Sequence, residues 1–190
     1  QALCSWKAIV MTCIVGIAKG NTVWLGADSA ATDRALNRTI IKDPKVFVKG
    51  NIAFGVCGLP KVMDALHHAI DLPVQRGDND RAFLVAELVP SIREGLKTLD
   101  CTVETESGLA FEGAMIVGYR GKVYNLQGNF QLVNSSDGYA SVGSGSSYAL
   151  GSLVATKGMS DPRKRVLAAL EASTRNAGCA PPFVVVTVKG

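Results

Sequence analysis

The sequence predicts an α+β protein in which blocks of strands alternate with pairs of helices. Near-continuous apolar runs rich in β-branched and aromatic residues indicate the strands, and apolar residues at helical spacing indicate helices in both halves of the chain. The length of 190 residues and the hydrophobic content of 47% suit one domain with a sizeable core. Because the strands are apolar almost throughout, we expect both faces of each sheet to be covered.

The first half of the chain predicts four strands and then two helices. The strands are expected near residues 13–18, 22–28, 45–49 and 52–57, and Lys19-Gly20-Asn21 has the turn chemistry of a hairpin between the first two. Apolar residues at helical spacing predict helices over 60–72 and 80–99, the first opened by Pro60. Pro90 is expected to kink or interrupt the second helix.

The second half repeats this order. Strands are expected near 113–119, 122–127 and 130–133, with Arg120-Gly121 as a tight turn, and a last strand near 183–188. Helices are predicted over 146–156 and 162–175, the latter with Asp161 as its N-cap and Pro162 in its first turn. Residues 75–79 and 104–108 are expected to be surface loops.

Charge and cysteine content argue against a nucleic-acid-binding protein, a metalloprotein and a disulfide-rich protein. The net charge is only +4, and the densest basic cluster, residues 163–165, is typical of a solvated helix face, so no nucleic-acid partner is expected. Five cysteines without a CxxC pair or metal-ligand spacing predict neither a metal site nor a disulfide framework, and favour a reducing cytoplasm. The apolar run 8–18 is too short to span a bilayer, which predicts a buried strand and no membrane partner.

Thr12 is the residue with the most distinctive chemical context, because it begins the first apolar strand. A threonine hydroxyl needs a neighbouring base before it can act as a nucleophile. An α-amino group has a reference pKa of about 7.7 to 8.0, so part of it is neutral and basic near pH 7. Cleavage of the bond between Met11 and Thr12 would therefore give one residue both a nucleophile and a base.

Two charged residues are expected beside this threonine. The predicted hairpin folds Asp28 back toward the strand that begins at Thr12, and Lys45 begins a later strand. An ammonium group next to a carboxylate is a common way of setting the acid and base strength of a site.

The pattern of these residues resembles that of the catalytic β subunits of proteasomes and of the related bacterial peptidase HslV. The pattern also includes Ala31-Thr32 after the aspartate and Gly55-Val56-Cys57-Gly58 at the end of a strand. The glycine- and serine-rich segment 143–151 resembles the loop before a helix that such subunits place behind their nucleophile. The resemblance extends from residue 12 to about residue 151. It implies the four-layer αββα sandwich of N-terminal-nucleophile hydrolases, with two antiparallel sheets between layers of helices.

The resemblance also implies roles for individual residues. Thr12 would be the nucleophile, with Asp28 and Lys45 as the charged pair beside it, and Lys45 would lower the pKa of its hydroxyl. The backbone N–H of Gly55 would stabilise the oxyanion. Ser144 would bind near the threonine amine.

Substrate binding and assembly follow from the same resemblance. Thr32, with its neighbour Ala31, would hold the substrate backbone as an added strand. The implied enzyme is a threonine endopeptidase without a cofactor, acting on peptides or unfolded proteins inside a homo-oligomeric ring in the cytoplasm. A separate unfolding ATPase would feed that ring.

The chain departs from the family pattern before its last strand. Proteasome subunits carry an aspartate and, three residues later, a serine around the amine, where this chain has Asn176 and Cys179. Asn176 can donate and accept hydrogen bonds but brings no charge.

Residues 1–11 precede Thr12 as an extension or propeptide, and residues 12–190 are expected to form a single hydrolase domain. The extension would be removed by self-cleavage, or Met11 would be a start methionine removed in the ordinary way. Three alternatives stay open: a catalytically silent structural subunit, a small-molecule amidase of the same fold, and Cys13 as the nucleophile if processing falls one residue later.

Overall fold

The computed structural model describes residues 11–32, 37–175 and 178–190. Its strands, in chain order and numbered β1 to β13, are Ile14–Lys19, Thr22–Ala27, Ala30–Thr32, Arg38–Ile40, Val46–Lys49, Ile52–Gly58, Val103–Thr105, Gly108–Ala110, Gly113–Tyr119, Lys122–Gln127, Leu132–Asn134, Tyr139–Val142 and Val184–Lys189. Its α-helices, α1 to α5, are Pro60–Asp64, Asp80–Phe83, Val89–Thr98, Ser146–Ala155 and Pro162–Ser173.

The strands form two antiparallel sheets and two small hairpins. The four-stranded sheet has the order β12-β1-β2-β13, and the five-stranded sheet has the order β11-β10-β9-β6-β5. The hairpins pair β3 with β4 and β7 with β8. The predicted turn at residues 19–21 joins β1 to β2, which pair over their whole length.

The helices after β6 contain two π-helical turns. Residues Ala65–Ala69 continue α1 as the first turn, and residues Leu84–Leu88 join α2 to α3 as the second. Pro90 lies in the first turn of α3, where a missing N–H is tolerated, so the predicted interruption of this helix falls directly before it. Val89, Ile92 and Leu96 form the buried face of α3.

Three apolar clusters separate four layers. One lies between the five-stranded sheet and helices α1 to α3, and includes Phe54, Leu66 and Ile92. A second lies between the two sheets, and a third between the four-stranded sheet and helices α4 and α5. The helix–sheet–sheet–helix order confirms the αββα sandwich.

The sequence prediction missed several short strands. Residues 104–108, predicted as a loop, lie in the β7–β8 hairpin, and β3, β4 and β12 were not predicted. Each of these strands has only three or four residues, too few to show a clear period. No helix in the described ranges has both the length and the apolar character needed to cross a bilayer.

Candidate active site

The pairing of three strands brings the predicted site residues together. Ile14 pairs with Ala27 on β2 and with Val142 on β12. The start of β1 therefore lies beside the ends of both neighbours. Thr12 precedes β1 and Asp28 follows β2, so both meet at one edge of the four-stranded sheet.

The Asp28 carboxylate is held from several directions. Its Oδ1 accepts the N–H of Cys13 at 2.9 Å, and its Oδ2 accepts the N–H groups of Ala30 at 3.0 Å and Ala180 at 3.4 Å. The residue is only 1% exposed. Three backbone N–H groups therefore fix the position of this buried carboxylate.

Lys45 reaches this edge from the other sheet. Its Nζ donates to Thr12 Oγ1 at 3.0 Å, to Asp28 Oδ1 at 2.9 Å and to the carbonyl oxygen of Ala30. The ammonium group is 5% exposed and uses all three of its N–H bonds. It acts here as a donor to the threonine oxygen, which suits an oxygen that is to carry negative charge.

The loop between β12 and α4 holds the backbone of Thr12. Ser144 Oγ accepts the N–H of Thr12 at 3.1 Å and donates to its carbonyl oxygen at 3.3 Å, which also accepts the N–H of Gly145 at 3.2 Å. Gly143 has φ +98°, and a Cβ atom there would lie 2.2 Å from the Thr12 oxygen. Only glycine therefore allows the loop to approach the Thr12 backbone this closely.

A small apolar cleft opens beside Thr12 and Lys45. Its walls come from β3, from the segment after β4, and from β6 with the first turns of α1; the remaining lining residues are Ala31, Ile41, Val56, Gly58, Leu59, Pro60 and Met63. Lys45 is the only charged lining residue in the part of the chain that the structure describes, and its charge is directed at Asp28. The cleft therefore suits an uncharged side chain.

Thr32 lies at the end of β3, and it is 8% exposed. Toward β4, Ser29 O accepts the N–H of Ile41, and Ala31 pairs with Thr39. Because the backbone groups of successive residues in a strand face opposite sides, the N–H and C=O groups of Thr32 point away from β4. They lie on the same edge as those of Ala30, which contact Asp28 and Lys45.

Gly55, whose N–H the resemblance implies as the oxyanion donor, does not line this cleft. Val56 donates its N–H to Lys45 O, so the N–H of Gly55 points the opposite way, toward its partner Ile116 on β9. The same alternation directs the N–H of Gly58, two residues beyond Val56, to the cleft edge. The sequence signal for Gly58 is its place at the strand end, directly before Leu59 and the helix-opening Pro60.

Two thiols lie near Thr12 and Asp28, and both are almost fully buried. Burial raises the pKa of the Cys13 thiol, whose Sγ lies 3.8 Å from Ser141 Oγ, which disfavours the thiolate that a cysteine nucleophile needs. Burial and the nearby Asp28 carboxylate raise the pKa of Cys179 to about 11. Asn176, the other expected network residue, lies outside the described residues.

The raised pKa of Cys179 predicts a loss of stability in alkali. Since the folded protein favours the neutral thiol, this contribution is complete below about pH 9 and is lost as the pH rises toward 11. We expect Cys179→Ser to reduce the decrease in unfolding free energy between pH 8 and pH 10.5 by about 2 kcal/mol. Urea titrations of both proteins at the two pH values measure this; equal decreases would contradict it.

The arrangement combines a hydroxyl, a cation that donates to it and a fixed carboxylate beside a cleft. Thr12 is still joined to Met11 and its N–H is an amide, so the described chain holds the hydroxyl in place without a free amine. Repeated hydrolysis of separate substrates by the threonine would use that amine as its base.

Solved structures with the same arrangement of layers cover nearly the whole chain. Thiobacillus denitrificans BPH in complex with epoxomicin matches with a TM-score of 0.76 and 16% identity, over 93% of this chain and 98% of that chain. The same BPH in a second structure matches with a TM-score of 0.72 and 16% identity, over 93% and 97% of the two chains.

Eukaryotic HslV from Trypanosoma brucei also matches, with a TM-score of 0.68 and 16% identity, over 94% of this chain and 99% of that chain. Neither a protein-family model nor a curated protein sequence matches the chain. At this identity the likeness concerns the fold. The chain therefore has the N-terminal-nucleophile hydrolase fold in the form found in HslV, as its resemblance to proteasome β subunits implies.

Proposed function

We propose that this chain is a threonine peptidase that works by acyl transfer through Thr12. The observation that carries the proposal is the contact of Lys45 Nζ with both Thr12 Oγ1 and Asp28 Oδ1, at 3.0 and 2.9 Å. A buried lysine between a hydroxyl and a carboxylate is costly to maintain, because both charges have been taken out of water.

The proposed reaction begins once the bond between Met11 and Thr12 has been cut. The free amine of Thr12 takes the proton of its own hydroxyl, and Oγ1 attacks the substrate carbonyl. The proton then passes to the leaving nitrogen as the peptide bond breaks, which leaves an ester on Thr12. Water hydrolyses the ester, and Lys45 stabilises the negative charge on Oγ1 when the oxygen attacks and when it leaves.

The oxyanion donor in this proposal is the N–H of Gly58. The backbone alternation along β6 directs it to the cleft edge, and Gly58 itself lines the cleft beside Thr12. It replaces Gly55 in the role that the sequence resemblance implies.

The substrate would be an extended peptide. The outward-facing backbone of Thr32 supports the addition of a peptide strand along β3, with Ala31 next to it in the cleft wall. The apolar lining by Ile41, Val56 and Met63 supports an apolar side chain on the acyl side of the cut bond.

Maturation and assembly belong to the same proposal. Self-cleavage before Thr12, or removal of Met11 as a start methionine, would leave residues 12–190 as one hydrolase domain. The fold shared with HslV supports a homo-oligomeric ring in the cytoplasm that receives unfolded chains from a separate ATPase.

The proposal predicts that peptide hydrolysis depends on the free amine of Thr12. We expect the hydrolysis rate to scale with the fraction of chains whose intact mass begins at Thr12. Chains that retain Met11 should be at least about 100-fold less active, because the amide nitrogen is not a base. The measurement combines intact-mass spectrometry with turnover of fluorogenic peptides that carry an apolar residue on the acyl side.

Full activity in chains that keep Met11 would contradict the mechanism. Chains that begin at Thr12 and hydrolyse no peptide would contradict the peptidase. Turnover of acylated amines by those chains would then favour an amidase, and its absence a silent subunit.

A further inference from the structure

Met11 packs against Gly178, outside the apolar cleft. Gly178 has φ +66°, and a Cβ atom there would lie 2.1 Å from Met11 Sδ and 3.2 Å from its Cβ and Cγ. The methionine side chain therefore lies along the glycine backbone and fills the space that a side chain at position 178 would need. Met11 itself is half-buried and does not line the cleft beside Lys45.

The segment after Gly178 is tied to the catalytic carboxylate. Ala180 donates its N–H to Asp28 Oδ2 at 3.4 Å, and its carbonyl oxygen accepts the N–H of Ser29 at 3.0 Å. Cys179, between them, is 1% exposed. The surface under Met11 is thus a fixed part of the site, and we name it the Gly178 shelf, formed by Gly178 and the anchored residues Cys179 and Ala180.

The proposed reaction brings part of the substrate close to the Gly178 shelf. Met11 is bonded to the nitrogen of Thr12, so its side chain occupies space next to that nitrogen. After cleavage, the same nitrogen must pass a proton to the leaving nitrogen of the substrate, and the two atoms must come within hydrogen-bond distance. The first residue of the leaving fragment is therefore brought next to the space that Met11 vacates.

We propose that the Gly178 shelf binds the side chain of the first residue on the leaving side of the cut bond, and that it selects unbranched apolar side chains such as methionine. This inference rests on the proposed peptidase activity and adds a second specificity element to it, separate from the cleft on the acyl side. The chain's own Met11 shows the kind of side chain that the shelf accommodates.

The test uses the protein with Thr12 as its first residue, produced by removing a ubiquitin module from the N-terminus. Internally quenched peptides share one acyl side and differ only in the first leaving residue, which is methionine, norleucine, valine or glycine. A fluorogenic amide with the same acyl side reports activity without a leaving-side residue. We expect kcat/KM to be about tenfold higher with methionine or norleucine than with glycine, and lower with branched valine than with norleucine.

Gly178→Ala fills the shelf with a methyl group, and we expect it to lower the methionine-to-glycine ratio of kcat/KM at least about fivefold. Gly50→Ala is the matched control, because Gly50 has a similar φ of +62° and nothing within 4 Å of an added Cβ atom. It imposes the same backbone strain without filling a site, and we expect it to leave the ratio unchanged.

Equal kcat/KM for all four leaving residues would contradict binding of the leaving residue by the Gly178 shelf, but it would not contradict the proposed peptidase activity. Failure to hydrolyse both the peptides and the fluorogenic amide would instead contradict the proposed function. If Gly178→Ala does not fold, as judged by its circular dichroism and melting, the order of the four peptides with the unsubstituted protein decides between the outcomes.

Discussion

Replacing Thr12 by alanine in the freed chain is expected to lower kcat/KM for fluorogenic peptides by about four orders of magnitude or more, because the substitution removes the attacking oxygen and keeps the amine. The fold is expected to persist, since the substitution removes the hydrogen bond from Lys45 Nζ to the hydroxyl and leaves the backbone hydrogen bonds of residue 12 in place. Peptide turnover and thermal melting, measured on the same preparation, check both parts.

Thr12→Ser is the matched control for this experiment. Serine keeps the hydroxyl and the free amine on one residue, so we expect turnover to stay within about tenfold of the unsubstituted protein. Undiminished hydrolysis by Thr12→Ala would show that another group makes the attack, and the mechanism would have to be abandoned.

Lys45→Met is the second substitution with a large expected effect. It removes the donor to Thr12 Oγ1 and leaves the Asp28 carboxylate, 1% exposed, without its cation. We expect kcat/KM to fall by about 10² to 10³, as for the loss of one preorganised donor. Breaking one side of a buried ion pair is also expected to cost about 3 to 5 kcal/mol of unfolding free energy.

A double substitution separates the catalytic effect from the structural one. Asp28→Asn combined with Lys45→Met removes both charges, so we expect much of the lost unfolding free energy to return while activity stays low. Urea unfolding and peptide hydrolysis of the two single variants and the double variant complete the cycle. Recovery of activity together with stability would mean that Lys45 acts only through the fold.

The long elements and the nucleophile's neighbours could be predicted because their signals are local. The hairpin turn at residues 19–21 places the end of β2 beside the start of β1, and this alone puts Asp28 near Thr12. Pro60 and Asp161 similarly mark the starts of α1 and α5. Each of these inferences needs only neighbouring residues and known backbone preferences.

Other parts of the site depend on contacts that no local pattern contains. Strand β12 is four residues long, yet its pairing with β1 brings Ser144 to the backbone of Thr12, 132 positions away. The choice between Gly55 and Gly58 as the oxyanion donor depends on which strand each N–H faces, which only the register decides. The packing of Met11 on Gly178 joins two distant ends of the chain in the same way.

Gly55 lies at a tightly packed position between the two sheets. A Cβ atom there would lie 2.4 Å from Ile14 Cγ2 and 3.1 Å from Val46 Cγ1, and these two side chains follow Thr12 and Lys45 closely in the chain. Thr12 precedes a strand of the four-stranded sheet and Lys45 precedes a strand of the five-stranded sheet, so the apolar packing between the sheets sets the distance from Thr12 Oγ1 to Lys45 Nζ. One methyl group added at position 55, which does not line the cleft, is therefore expected to change that distance from within the core.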